Sequence, residues 1–186
     1  MEGAAVIDAL ATIEGKLVRL RGQERSDAAL FVRWWNDPEV LHWLHLSEGP
    51  TITQESWLKA HEARREDKAW ALWIIETKNG VPIGQVGLHA IDPIHLRCSL
   101  HISIGEKDCW GQGYGTEAIR LVVRYAFETL GMRRVDLITD FDNDRGIRCY
   151  EKCGFVREGV LRAHRLRYGQ PLDMVEMAVL REDWSG

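Results

Sequence analysis

Polar and apolar positions alternate over Lys16-Leu17-Val18-Arg19-Leu20, the period of a half-buried strand. Ser26-Asp27 then predicts a helix start, with the helix running to about Trp35. Asp37-Pro38-Glu39 restarts a short helix toward Leu44, with proline in its first turn. Thr53-Gln54-Glu55 opens a third helix, charged through Arg64-Arg65-Glu66-Asp67. From Ala69 the period becomes extended. Trp70-Ala71-Leu72-Trp73-Ile74-Ile75 reads as a strand, Asn79-Gly80 as a hairpin turn, and Ile83 to Ala90 as the returning partner. Asp92-Pro93 turns the chain into an apolar strand ending near Ile104. Ile119, Val122, Val123, Ala126 and Leu130 recur at helical spacing, and Gly131 closes that helix. Val135-Asp136-Leu137-Ile138-Thr139 is the next strand, and Asn143 caps the helix that follows it. Val156 to Leu161 and Met174 to Leu180 finish as strands around Tyr168-Gly169-Gln170-Pro171. This order predicts an α+β domain over residues 15–184, with helices flanking a mixed sheet of six or seven strands. Residues 1–14 read as an extension ahead of it.

Composition narrows the class. The chain has 186 residues, enough for one domain with a sizeable core. A net charge of −4 argues against a nucleic-acid partner, which a basic surplus would serve. No apolar run reaches the roughly 18 residues of a membrane span, and the acidic opening Met1-Glu2-Gly3 lacks the positive start of a secretory signal. Cys98, Cys109, Cys149 and Cys153 form no C-x-x-C pair and have no histidine at zinc spacing. Reduced thiols in a cytoplasmic protein, with no metal, are the expectation. His42-x-x-His45 offers a metal only two ligands on one helical turn.

The densest signal is Cys109-Trp110-Gly111-Gln112-Gly113-Tyr114-Gly115-Thr116-Glu117-Ala118. Glycines let the backbone approach a ligand closely, and a helix start presents free N–H groups at the positive end of its dipole. Strand, glycine turn and helix together make a phosphate site. No P-loop Gly-Lys-Ser or Gly-Lys-Thr exists, and threonine at 116 breaks the dinucleotide fingerprint begun by Gly111 and Gly113.

About 30 residues downstream stands Asn143-Asp144-Arg145-Gly146-Ile147-Arg148-Cys149-Tyr150-Glu151-Lys152-Cys153-Gly154-Phe155. Taken with Trp110-Gly111-Gln112-Gly113-Tyr114-Gly115, it resembles the GCN5-related N-acetyltransferase (GNAT) superfamily, and most closely its ribosomal-protein-alanine acetyltransferase (RimJ/RimL-like) branch. The resemblance implies a mostly antiparallel sheet with a V-shaped splay between its fourth and fifth strands, where acetyl-CoA binds. Here those are the strand ending at Ile104 and the one from Val135. It implies backbone contacts from Ile102 and Ile104 to the pantetheine. It gives the diphosphate to Gln112, Gly113, Tyr114, Gly115 and Thr116. Trp110 departs from the arginine or glutamine usual there. Asn143 matches an asparagine that reaches the pantetheine, although capping its own helix is role enough; Arg148 reaches the phosphates or simply lies exposed. Tyr150 matches the tyrosine that protonates the departing thiolate.

The base is open. Many relatives carry a glutamate on the fourth strand, but Arg97-Cys98-Ser99-Leu100-His101-Ile102-Ser103 holds no carboxylate. Ser99, His101 and Ser103 share one face of that strand, so His101 is the candidate proton acceptor. Glu39 and Glu48 are alternatives. Trp34, Trp35, Trp43 and Trp57 fall in the region that lines the acceptor cleft in relatives, as packing or as walls. The expected reaction is transfer of acetyl to a primary amine, a protein N-terminus such as a ribosomal protein's or a small amine. The amine attacks directly in a ternary complex. The resemblance leaves room for a homodimer. A non-catalytic acyl-CoA-binding or sensing protein of the same fold is the alternative.

Overall fold

The computed structural model describes residues 11–44 and 51–186. Glu48 and His45 lie outside them. One eight-stranded sheet runs in the order β1-β2-β3-β4-β5-β6-β8-β7. Its strands are β1 (Ile13–Glu14), β2 (Val18–Gly22), β3 (Ala71–Thr77), β4 (Pro82–Asp92), β5 (Arg97–Ile104), β6 (Arg134–Asp140), β7 (Val156–Arg167) and β8 (Gln170–Leu180). Neighbours are antiparallel except β5 and β6, which run parallel. The sheet exceeds the expected six or seven strands because Ile13 and Glu14, assigned above to the extension, pair with Leu20 and Arg19. Two residues are too few for a periodicity to show.

Five helices cover its two faces: α1 (Ala28–Trp34), α2 (Pro38–Trp43), α3 (Gln54–Glu66), α4 (Tyr114–Glu128) and α5 (Asp144–Lys152). On one face α4 lays Ala118, Ile119, Val122, Val123 and Ala126 against Trp73, Val86, Leu100 and Val135, and α5 adds Ile147. On the other, Phe31 and Trp34 of α1 and Trp35 just after it meet Trp57 of α3 over Ile74. Phe31 stacks on Trp57 with ring centroids 4.7 Å apart. The helix–sheet–helix layering follows from β3 and β4 being buried along both sides.

The helix starts obey their caps with one exception. Asp37 accepts from the N–H groups of Glu39 and Val40, and Thr53 and Ser56 form a reciprocal capping box. Ser26-Asp27 does not cap α1. The buried Asp27 instead receives two hydrogen bonds from Arg21, at 2.9 and 2.7 Å, and Arg21 also binds the buried Glu76. A carboxylate out of water needs a cation more than a helix needs its cap.

The entry into the sheet depends on α4. Glu117 in its first turn accepts the backbone N–H groups of Lys16, Leu17 and Val18 at 2.9, 2.6 and 2.8 Å. A Cβ at Gly15 would stand 2.6 Å from a Glu117 carboxylate oxygen, so only glycine passes there. Replacing Glu117 with alanine strands three donors together. It is expected to lower unfolding stability by about 1–3 kcal/mol, read as a lower urea midpoint at unchanged m-value.

Candidate active site

The site forms where two strands stop pairing. The β5–β6 ladder holds only Arg97, Cys98 and Ser99 against Arg134, Val135 and Asp136. Beyond it β5 follows β4 to Ile104, while β6 follows β8 to Asp140. The edges facing each other over 100–104 and 137–140 have no strand partner, and backbone polar groups on such edges require one. Between them opens a cavity of about 650 Å³. Ile102 and Ile104 line it, at the edge expected to meet a pantetheine. The Ile104 carbonyl already accepts the Trp110 indole N–H at 2.9 Å. Trp110 thus closes one backbone acceptor, a structural role for the residue that departs from the family pattern.

At the open end lies the glycine turn. Gly111 and Gly113 have φ of 76° and 89°, the left-handed region that favours glycine, and Gly113 is the N-cap of α4. The first intrahelical bond there runs from Glu117 N to Gly113 O. The N–H groups of Tyr114, Gly115 and Thr116 precede it, the pattern of an anion site at a helix start. A Cβ on Gly115 would meet Ile102 and Ile104 only at 3.7 and 3.9 Å, so its bareness leaves room between helix and strand. Gly113, Gly115 and Thr116 line the cavity. The Gln112 side chain turns back to the Asp108 carbonyl, which leaves this residue its backbone N–H as a contact. Tyr114 packs its side chain on the core.

The other wall comes from α5. Asn143 caps its own helix, its Oδ1 accepting from Gly146 N at 3.0 Å, and its Nδ2 donates to Thr139 Oγ1 at 3.0 Å in the cavity wall. The Thr139 hydroxyl acts on the Tyr150 phenol in the direction that favours its ionised form, against the larger effect of burial. Tyr150 is half-buried and lines the cavity; its loss of water pushes the phenol above the usual value. Arg148 is exposed at the rim, and Cys149 joins the wall with its thiol 3.2 Å from the Thr116 hydroxyl. The Arg145 guanidinium lies 4.1 Å from the Trp110 ring centre and 6.0 Å from that of Trp43. This cation–π bridge ties α5 to α2 across the mouth.

The acceptor side separates residues that the sequence grouped. Trp34, Trp35 and Trp57 are core, and Trp43 alone of the four lines the cavity. Glu39 is exposed and bound to Lys107 at 2.6 Å. His42 is held by the β7–β8 turn, its Nδ1 3.3 Å from the Tyr168 hydroxyl. Ser99, His101 and Ser103 do share the cavity-facing side of β5, joined by Gln85 and His89 of β4.

His101 is poorly suited to the base role expected of it. Burial, with the nearby His89 and the positive Arg64, lowers its pKa to about 3, so it stays neutral and gains little by taking a proton. Ser99 is committed as well, donating to Asp136 Oδ1 at 2.6 Å. Sequence reasoning missed Asp136 and His89. The signal for Asp136 was a lone carboxylate inside the apolar run Val135-Asp136-Leu137-Ile138; the signal for His89 was its place on the Gln85 face of β4.

A splayed parallel pair, a helix start at its open end and a tyrosine in its wall describe an acyl-CoA-dependent transferase. The sequence profile of the acetyltransferase (GNAT) domain matches residues 18–156. The chain belongs to this family: it is an N-acetyltransferase with acetyl-CoA as its co-substrate. It is 31% identical over 160 residues to the uncharacterized N-acetyltransferase YoaA of Bacillus subtilis, covering 85% of this chain and 89% of that one. It is 26% identical to the spermidine N(1)-acetyltransferase of Escherichia coli K12, over 90% of this chain and 88% of the relative. The crystal structure of spermidine N-acetyltransferase from Vibrio cholerae with CoA and spermine superposes with a TM-score of 0.83 at 24% identity, over 91% of this chain and 98% of that one. That likeness concerns the fold.

The state of His101 has a measurable consequence. Its folded value is depressed, so the stability it allows is present above the unfolded value near 6.5 and is lost as pH falls toward about 3. Between about pH 7 and pH 5 the wild type should lose about 2 kcal/mol more than His101→Gln, compared by urea unfolding. The imidazole resonances of His101 should show no titration between about pH 5 and pH 8. A midpoint inside that range would restore it as a base.

Proposed function

We propose that this enzyme acetylates a small primary amine by direct attack in a ternary complex, with Tyr150 as the acid. The observation that carries the reading is the order of groups along one cavity. The free N–H groups of α4 stand at its open end, the unpaired edge of β5 runs inward, and Tyr150 and the polar face of β4–β6 lie within. In this arrangement the diphosphate meets Gln112, Gly113, Tyr114, Gly115 and Thr116 through the backbone. The pantetheine follows Ile102 and Ile104, with Asn143 and Arg148 beside it.

The amine lone pair attacks the thioester carbonyl carbon; the C–N bond forms and the C–S bond breaks with its electron pair on sulfur. The Tyr150 hydroxyl gives its proton to that thiolate. Burial keeps the phenol protonated until then, and the Thr139 hydroxyl stabilises the phenolate as it forms. The proton shed by the nitrogen passes to water on the acceptor side, and water returns one to the Tyr150 phenolate, which restores the acid. Relatives that include spermidine N(1)-acetyltransferases favour a small amine over the protein N-terminus expected from the RimJ/RimL-like branch.

Titration calorimetry with acetyl-CoA, followed by a thiol-release assay on polyamines, other small amines and Ala- or Ser-starting peptides, tests this directly. Binding with release on small amines is expected. In Tyr150→Phe, turnover should fall by roughly 10- to 10⁴-fold at little-changed acetyl-CoA affinity. Undiminished turnover removes Tyr150 from the acid role. Binding without release on any amine leaves an acyl-CoA-binding protein.

A further inference from the structure

We propose that Asp136 is the anionic anchor of the acceptor, holding the ammonium form of a primary amine at the closed end of the cavity while Ser99 fixes the carboxylate's direction. The inference rests on the N-acetyltransferase reading and names the residue that selects its substrate. An alkylamine resembles the lysine side chain, with a pKa of about 10.4, and reaches the enzyme as a cation. Some group in the cavity must receive that charge before the nitrogen sheds its proton and attacks.

Position is the first argument. Ser99 and Asp136 form the last rung of the β5–β6 ladder, so they mark the apex of the splay. Five residues separate Ser99 from Ile104 near the phosphate end, about 17 Å at the usual strand rise. The cavity therefore has a cofactor end at the helix start and a polar end at Asp136, and Asp136, Ser99, His89 and His101 all line it.

Capacity is the second. Asp136 Oδ1 accepts from Ser99 at 2.6 Å, and Oδ2 has only a 3.3 Å contact with Arg134 Nε. The two terminal nitrogens of Arg134 are taken by Glu158, at 2.8 and 2.6 Å. A carboxylate offers about four lone-pair sites, so Asp136 can still accept N–H groups from a ligand. Across the cavity, His101 Nδ1 is buried without a hydrogen-bond partner among the described residues. An unpaired polar atom walled in this way is costly unless something pairs with it.

Charge is the third. Arg134 stands against both Asp136 and Glu158, one cation for two carboxylates, which leaves the β6 side with a net charge of −1. Glu176 of β8, opposite Ile138, adds negative charge on the same face. The cationic Arg64 of α3 acts instead on His101 and stands over Trp70. His89, between the two, is held toward its neutral form by burial. A cation entering here is drawn to Asp136 and repelled from the Arg64 side.

The test uses the CoA-loaded protein with two probes of equal shape, butylammonium and 1-butanol, read by NMR shift titration. The ammonium should bind about 10- to 100-fold more tightly, the range of a hydrogen bond to a charged group. Asp136→Asn should erase that preference while leaving CoA affinity intact. In turnover, Asp136→Asn should raise KM for a cationic amine by about the same factor, and kcat should change much less. Should Asp136→Asn not fold, Glu158→Gln serves. It frees Arg134 to neutralise Asp136 and should raise KM in the same direction by a smaller factor. Equal binding of the two probes, or a preference that survives the loss of Asp136's charge, overturns the proposal. If the wild type released CoA with no amine at all, the N-acetyltransferase reading would fall, and the probe comparison would still decide the role of Asp136.

Discussion

Everything functional in this protein depends on a hydrogen-bond ladder that stops early. β5 and β6 pair over three residues each and then diverge, leaving two strand edges facing one another without partners. In a sheet interior that arrangement costs free energy, because each unpaired amide or carbonyl gives up its hydrogen bonds to water. The fold tolerates it because the outer edges of both strands are fully engaged, β5 with β4 and β6 with β8. The gap is a slot whose polar lining is its own backbone. A ligand with amides of its own, as the pantetheine arm has, replaces the missing strand.

The surrounding elements keep that slot open and give it two unlike ends. α4 and α5 pack through Ile119, Val122, Val123 and Ile147 and deliver the helix start and Tyr150 to one side. α1 and α3 lock together through Phe31, Trp34, Trp35 and Trp57, a buried aromatic layer, and Trp43 of α2 lines the cavity on the other side. Hydrogen bonds then set individual groups: Asn143 to Thr139 and Ser99 to Asp136. These contacts join residues from different elements. A change in α5's cap reaches Thr139 in the cavity wall, and a change at Ser99 reaches the carboxylate on the neighbouring strand.

Electrostatics divides the labour among titratable groups of similar intrinsic character. His101 and Asp136 lie on adjacent strands around one cavity, yet burial and Arg64 deny a proton to the first. The second keeps a water-facing share of its surface, with 15% of its side chain exposed, and shares its cation with Glu158. Chemical type alone would have favoured the histidine as the group that handles protons near neutral pH. Burial removes that option for His101.

The sequence by itself determined the α+β class, most helix and strand positions, the glycine turn with its left-handed residues, and the family signature from Asn143 to Phe155. These are local: periodicity, caps and positive-φ glycines act within a few residues, and the chain states them in order. Only the tertiary structure decided that Asp27 serves Arg21 instead of capping α1, and that Ile13 and Glu14 complete an eighth strand. It also decided that three of four tryptophans are core and that Asp136 of β6 lines the cavity beside Ser99. Each depends on a partner outside its own element, 6 residues away for Asp27 and Arg21 and 37 for Ser99 and Asp136. Which side chain a buried charge faces is set by packing, and no periodicity in the chain records it.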